Sequence, residues 1–276
     1  MTVKDLFDKT VSELYFTDEA EFETLCLFES LLNISKTQII MNSVVMTEEQ
    51  CSIIETAISR RKKSEPLQYI IGQWDFYDLS FYVGEGVLIP RPETEELVEF
   101  ALEKIRNIKN PVIFDLCAGS GCIGLTIAKH RSDAKVYLLE KEDKAIVYLE
   151  KNKNKYNLTN AFVIHGDLFE FDLSKIPDAD IVISNPPYIP EKEISELQKE
   201  VLFEPLTALN GGVDGLDFYR CIAQKWISKV KKQGYIALEC GNGQSEDIVS
   251  LFNEKYSEKQ VIYDFNNIDR IVIFGI

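Results

Sequence analysis

The chain has 276 residues, 45% hydrophobic and 27% charged, enough to bury a substantial core in one large domain or in one domain with a smaller partner. Its 30 Lys and Arg against 45 Asp and Glu leave a formal charge of -15, which disfavours any partner held by neutralising phosphates. Six cysteines with no C-x-x-C pair and only two histidines argue against a disulfide framework and a zinc site, so no metal is expected, and no apolar run approaches the roughly 18 residues of a membrane span. Reduced thiols and a cytoplasmic location are therefore expected.

Residues 1–64 carry apolar side chains at helical spacing without a glycine or proline, which predicts a small N-terminal helical domain. Within it "TEEQ" at 47–50 has the capping-box form, Thr47 capping the helix and Gln50 reaching back. "SRRKKSE" at 59–65 is the best basic cluster and reads as a solvated helix end, its cations near the negative end of the dipole. Residues 65–90 are rich in aromatic and β-branched residues and broken by Gly72, Gly84 and Gly86, which predicts a β-hairpin linker. "IPRPETEELVEFALEKI" then opens a helix, with Pro92 near its start and acidic residues in the first turn.

In residues 91–276 strands and helices alternate. "PVIFDLC", "AKVYLLE", "NAFVIHGD", "ADIVISN" and "GYIALEC" read as strands, separated by helical stretches such as "EDKAIVYLEKNKNKY" and "GLDFYRCIAQKWISKVKK". This order predicts an α/β domain, a parallel sheet covered by helices on both faces. "KQVIYDF", a turn at "NNID" and "RIVIFGI" follow with no helix between them, so a C-terminal antiparallel hairpin completes a seven-stranded sheet.

"FDLCAGSGCIG" leaves the first of these strands and opens a helix, with Gly119, Gly121 and Gly124 in a literal G-x-G-x-x-G. That pattern serves a dinucleotide and an adenosyl group equally well. Glu140 closes the next strand, where a carboxylate can accept both hydroxyl hydrogens of a ribose. Asp115 precedes the glycines, where its charge suits an ammonium or sulfonium better than a pyrophosphate. Asp167, in "GDLF", is a candidate acceptor for an adenine amine and Leu168 an apolar surface for its ring. Glu140 serves both cofactors alike, whereas Asp115, Asp167 and Leu168 together favour S-adenosylmethionine over a nicotinamide.

"SNPPY" leaves the fourth strand at the edge where ligands collect in open α/β sheets. Asn185 and Pro186 each precede a proline and are held extended, which aims the Asn185 side-chain oxygen and the Pro186 carbonyl at one spot. Two acceptors on one nitrogen orient an amide or exocyclic amine in line with a sulfonium methyl, and Tyr188 is placed to stack on the flat group and exclude water. Neither histidine is assigned a role.

The blocks "EPLQYIIGQWDFYDLSF", "VLIPRPETEELVE", "DLCAGSGCIGL", "SNPPYIP" and "FEPLTALNGGVDGLDFYR" resemble, in order, those of the HemK-type glutamine methyltransferases, which modify the side-chain amide of the Gly-Gly-Gln loop in class 1 peptide chain release factors. The resemblance covers nearly everything from residue 65 and, more loosely, the helical unit. It implies a Rossmann-like class I methyltransferase fold and S-adenosylmethionine as cofactor, with S-adenosylhomocysteine as product. It further implies that Cys117, Ala118, Gly119, Ser120, Gly121, Glu140, Leu168 and Asn185 contact the cofactor, and that Asn185, Pro186, Pro187 and Tyr188 grip the glutamine amide. "IPRPETE" and "FEP" are expected to line the same cleft. Many relatives have Gly at the position of Cys117 and an aromatic at that of Leu168. A monomer is expected, with residues 1–64 docking the release factor.

Other readings stay open on the same residues. A glutamine methyltransferase for a ribosomal protein shares both loops, and an adenine-amine methyltransferase presents the same acceptors to a flipped base, against the charge balance. A non-catalytic module retaining the adenosyl pocket differs only in activity.

Overall fold

The computed structural model describes residues 1–253, 255–264 and 266–276. The chain divides into two compact units, residues 1–73 with 199–203, and residues 74–198 with 204–276.

The first unit contains helices α1 (Val3–Glu13), α2 (Ala20–Leu32), α3 (Lys36–Ile40), α4 (Glu48–Arg61) and α5 (Leu67–Ile71), closed over Leu6, Leu14, Leu27, Phe28 and Ile54. The capping box starting α4 is formed in both directions, Gln50 N–H donating to Thr47 Oγ1 at 3.2 Å and Thr47 N–H to Gln50 Oε1 at 3.0 Å. The basic stretch differs from the solvated helix end expected. Arg61 is buried and donates to both oxygens of Glu23 at 2.7 and 2.9 Å, with Glu200 at 2.8 Å, while Arg60 pairs with Glu65 and Lys62 with Glu13. Acids from neighbouring elements thus neutralise the cluster from within its own unit. Leu67–Ile71, inside the region expected to be a hairpin, is a helical turn, because Pro66 fixes its entry and Gly72 ends it in the left-handed region at φ 82°. The hairpin itself is β1 (Gln73–Phe76) and β2 (Leu79–Tyr82).

The second unit continues with α6 (Glu95–Lys104), β3 (Val112–Leu116), α7 (Cys122–His130), β4 (Lys135–Glu140), α8 (Asp143–Lys155), β5 (Ala161–His165), β6 (Ala179–Ser184), α9 (Asp217–Gln224), β7 (Val230–Glu239), α10 (Ser245–Leu251), β8 (Glu258–Tyr263) and β9 (Asp269–Gly275). The sheet order is β5-β4-β3-β6-β7-β9-β8, with β9 antiparallel to both neighbours and the pairs from β5 to β7 parallel. This is the seven-stranded class I arrangement. Leu125, Leu138 and Leu149 belong to one buried apolar cluster, and Phe114, Trp226, Phe252 and Phe274 to another. Val230–Lys232, expected as the end of a helix, already belongs to β7, where Val230 pairs with Ala179. Phe265, the last residue of the predicted strand "KQVIYDF", lies outside the described residues. Among the described residues no helix is long and apolar enough to cross a membrane.

Two features position the site. The chain runs outward from β3 through β4 and β5 and then crosses back to β6, so β3 and β6 lie side by side at the point where strand order reverses. Leu116 pairs with Ser184, whose hydroxyl donates to the Leu116 carbonyl at 2.6 Å, and the loops leaving these strands emerge together. The second feature is Asn152 on α8, fully buried, which accepts from Tyr82 N–H at 2.7 Å and donates to the Tyr82 and Ser120 carbonyls at 3.1 and 2.9 Å. One amide thereby fastens the hairpin to the glycine loop.

Candidate active site

The glycine loop is built by backbone conformations few residues tolerate. Gly121 begins α7 at φ 81°, and a Cβ there would lie 2.2 Å from Leu149 Cδ1. Gly124 is needed for close approach rather than for its φ, since a Cβ would meet Leu138 Cδ2 at 2.7 Å and Asp115 Oδ2 at 2.8 Å. Cys117 is itself left-handed at φ 59°, which supplies the physical reason why glycine suits that position.

Asp115 is the clearest departure from expectation. It is fully buried and absent from the cleft wall, and one of its carboxylate oxygens accepts from Gly124 N–H at 2.8 Å beneath the helix start. Its other oxygen is buried without a hydrogen-bond partner, and burial raises the carboxyl to about 7, against the pull of the Gly124 N–H and reinforced by Glu140. Asp115 therefore supports the loop from below.

Glu140 does reach the cleft, but it is already engaged. It accepts from Gly119 N–H at 2.7 Å on one oxygen and from Lys141 and Glu142 N–H at 2.7 and 2.8 Å on the other. A carboxylate offers about four acceptor sites, so roughly one remains, on the oxygen that faces Gly119, for a single hydroxyl rather than two. Asp167 lines the cleft too, held below its usual range against the cost of its partial burial by Lys141 at 2.9 Å and by Phe169 N–H. Leu168 is buried in the wall, its carbonyl fixed by Trp226 Nε1 at 3.1 Å.

In the "NPPY" segment Asn185 and Pro187 line the cleft, and Pro186 is buried between them. Tyr188 is half-buried against the cluster around Trp226 and Phe252; its carbonyl accepts from Gln244 Nε2 at 2.9 Å, and burial pushes its hydroxyl up to about 12.

Asn185 Nδ2 donates to Thr94 Oγ1 at 3.2 Å, and the Thr94 hydroxyl donates to Glu239 Oε2 at 2.6 Å. When Glu239 is ionised that hydroxyl proton is committed to the carboxylate, so Thr94 accepts from Asn185 and Asn185 Oδ1 is left to accept. The two remaining blocks also meet here. Glu204 of "FEP" is buried, accepts from Ile89 N–H at 2.9 Å and pairs with Arg91 of "IPRPETE". Thr94 and Glu239 received no role from the sequence. Glu239 nevertheless carries the signal used for Glu140, an acidic residue closing an apolar strand at the carboxyl edge of the sheet.

Arg91, Thr94, Glu140, Asp167, Leu168 and Asn185 are among the residues that wall a cavity of about 420 Å³, in the range of small-molecule sites. A left-handed glycine loop at one end, an acceptor at a strand end and apolar Leu139, Leu168 and Phe218 in the wall fit an adenosyl group. A sheet of this order with both loops at its switch point defines a class I methyltransferase, and the chain is an S-adenosylmethionine-dependent enzyme of that class.

Comparison with known proteins narrows the class. The profile of the PrmC N-terminal domain matches residues 5–72 and that of the methyltransferase small domain residues 95–212. Release factor glutamine methyltransferase of Thermodesulfovibrio yellowstonii is 40% identical, covering 99% of this chain and 98% of that protein, and the protein of that name from Clostridium acetobutylicum is 37% identical over the same shares. The protein of that name from Aquifex aeolicus is 34% identical over 98% of this chain and 94% of its own length. The hMettl16 catalytic domain, solved with a MAT2A 3'UTR hairpin, shares the fold, with a TM-score of 0.59 at 13% identity over 83% of this chain and 82% of that one. The chain belongs to the release factor glutamine methyltransferase family.

Proposed function

We propose that the protein methylates the side-chain amide nitrogen of the glutamine in the Gly-Gly-Gln loop of class 1 peptide chain release factors, acting as a cytoplasmic monomer. The observation that carries this reading is the orientation of Asn185, whose nitrogen is tied to Thr94 while its oxygen remains an acceptor beside the glycine loop. A primary amide brings two N–H groups; one meets Asn185 Oδ1 and the other the Pro186 carbonyl, and the pair fixes the nitrogen's direction and raises its electron density. When bound, the cofactor would supply an electrophilic methyl group to that nitrogen, with S-adenosylhomocysteine as leaving group and the amide's surplus proton passing to water. Pro186 and Pro187 have no N–H of their own to compete for these acceptors. Cys117 to Gly121, Glu140, Asp167 and Leu168 hold the adenosyl end, and Asp115 keeps the loop in shape from beneath.

Residues 1–64 serve as the docking surface for the release factor body. Ribosomal-protein and nucleic-acid substrates are the other outcomes of the test. In that test the full chain is incubated with methyl-labelled S-adenosylmethionine and a release factor, its Gly-Gly-Gln glutamine-to-alanine variant, or a free peptide of the loop. Label on the wild-type factor alone, lost with Asn185→Ala enzyme, is expected, with the peptide a much poorer substrate than the intact factor. Label that survives the glutamine-to-alanine change contradicts the substrate, and equal kcat/KM for peptide and intact factor contradicts docking.

A further inference from the structure

Glu239 is 4% exposed, closes β7 at the carboxyl edge of the sheet, and is linked through Thr94 to Asn185, both of which line the cleft. A carboxylate in such a place costs free energy unless it is paired, yet the hydrogen bond given to it is a neutral hydroxyl. Its own backbone carbonyl accepts from Tyr219 Oη at 2.7 Å, which fixes the main chain from the α9 side. The groups that act on it are Glu93 beside Thr94, Arg91 ahead of α6, Arg270 on β9, Tyr188 after β6, Cys240 next in the chain and Cys122 at the start of α7. Arg91 is partly committed to Glu204 and Arg270 to Asp264 at 3.0 Å, so neither is free to neutralise it fully.

We infer that Glu239 and Thr94 are positioning residues for methyl transfer: the ionised carboxylate holds the Thr94 hydroxyl as a donor, and this keeps the Asn185 amide turned with its oxygen toward the substrate nitrogen. This rests on the reading of Asn185 as the acceptor for that nitrogen. Each hydrogen bond in the chain strengthens the next, so Oδ1 becomes a better acceptor than an isolated amide. Protonated Glu239 can donate to Thr94, which frees the threonine proton to point at Asn185 Oδ1. The asparagine amide then turns over and presents N–H donors to an amide that is itself a donor. Glu239 needs no contact with the substrate to do this.

Burial raises the Glu239 carboxyl to about 7, opposed by Thr94 and reinforced by Glu93, which puts the change of state within a testable range. The experiment is a pH profile of the single-turnover rate of methyl transfer to the release factor, for wild type, Glu239→Gln, Thr94→Val and Thr94→Ser, with cofactor affinity measured alongside by calorimetry. The wild-type rate is expected to fall about tenfold per pH unit below the Glu239 titration, and Glu239→Gln to lose that limb. Thr94→Val is expected to lower the rate about tenfold with cofactor affinity and the KM for the factor unchanged, and Thr94→Ser to restore it. If Glu239→Gln does not fold, the Val and Ser pair decides the matter. A wild-type limb that persists in Glu239→Gln, or a Thr94→Val rate equal to wild type, overturns the relay alone. No transfer to the factor by wild-type enzyme overturns the substrate reading and the relay with it.

Discussion

At the scale of single residues, the site is built from side chains whose roles differ from their distance to the cleft. Cys117 stands in the wall at φ 59°, a conformation that costs a β-branched residue about 1–3 kcal/mol. Cys117→Val is therefore expected to lower stability by about 1–2 kcal/mol, while Cys117→Gly stays at or above wild type. Urea unfolding at constant m-value checks this, and equal midpoints for Val and Gly would contradict backbone strain at this position. The residues legible from sequence were those whose backbone is dictated locally. Asn185 is one, because the following proline restricts it. Tyr188 differs from the stacking role expected because its ring packs against the cluster around Trp226 and Phe252, while Gly211 and Gly215 lie close to its backbone and Gln244 anchors its carbonyl, contacts that depend on distant parts of the chain. Thr94 and Glu239 meet across 145 positions of sequence, a pairing that no local pattern reveals.

At the scale of elements, the same contrast holds. The strands of the sheet could be read from their apolar runs, and the start of α4 from its capping box, because period and capping chemistry are local. The turn Leu67–Ile71 was not, since five residues between a proline and a glycine carry too little periodicity to separate helix from strand. Nor could the sequence show that Asp115 lies under α7 and not in front of it. That depends on how closely α7 rests on β3 and β4, which Gly124 sets. Gly124→Ala forces a methyl group against Leu138 and Asp115 and should cost about 1–3 kcal/mol of stability, with weaker cofactor binding as the loop is pushed outward. A variant with wild-type urea midpoint and wild-type affinity by calorimetry would show that α7 can shift freely, and would break the link drawn between helix packing and loop shape.

At the scale of the whole molecule, the charge of -15 and the internal pairing of the one basic stretch both favour a substrate recognised by means other than phosphate contacts. The family relationship runs the full length of the chain, and the chemistry converges on the switch point of the sheet, where the loops after β3 and β6 meet the start of α6 and the end of β7. The most direct test of the account is to locate the transferred methyl group. A release factor treated with wild-type or Asn185→Ala enzyme is digested and its Gly-Gly-Gln peptide fragmented by tandem mass spectrometry. The account predicts one added methyl on the glutamine side-chain nitrogen with wild type and an unmodified peptide with Asn185→Ala. A methyl on any other residue, or equal modification by the two enzymes, would contradict it.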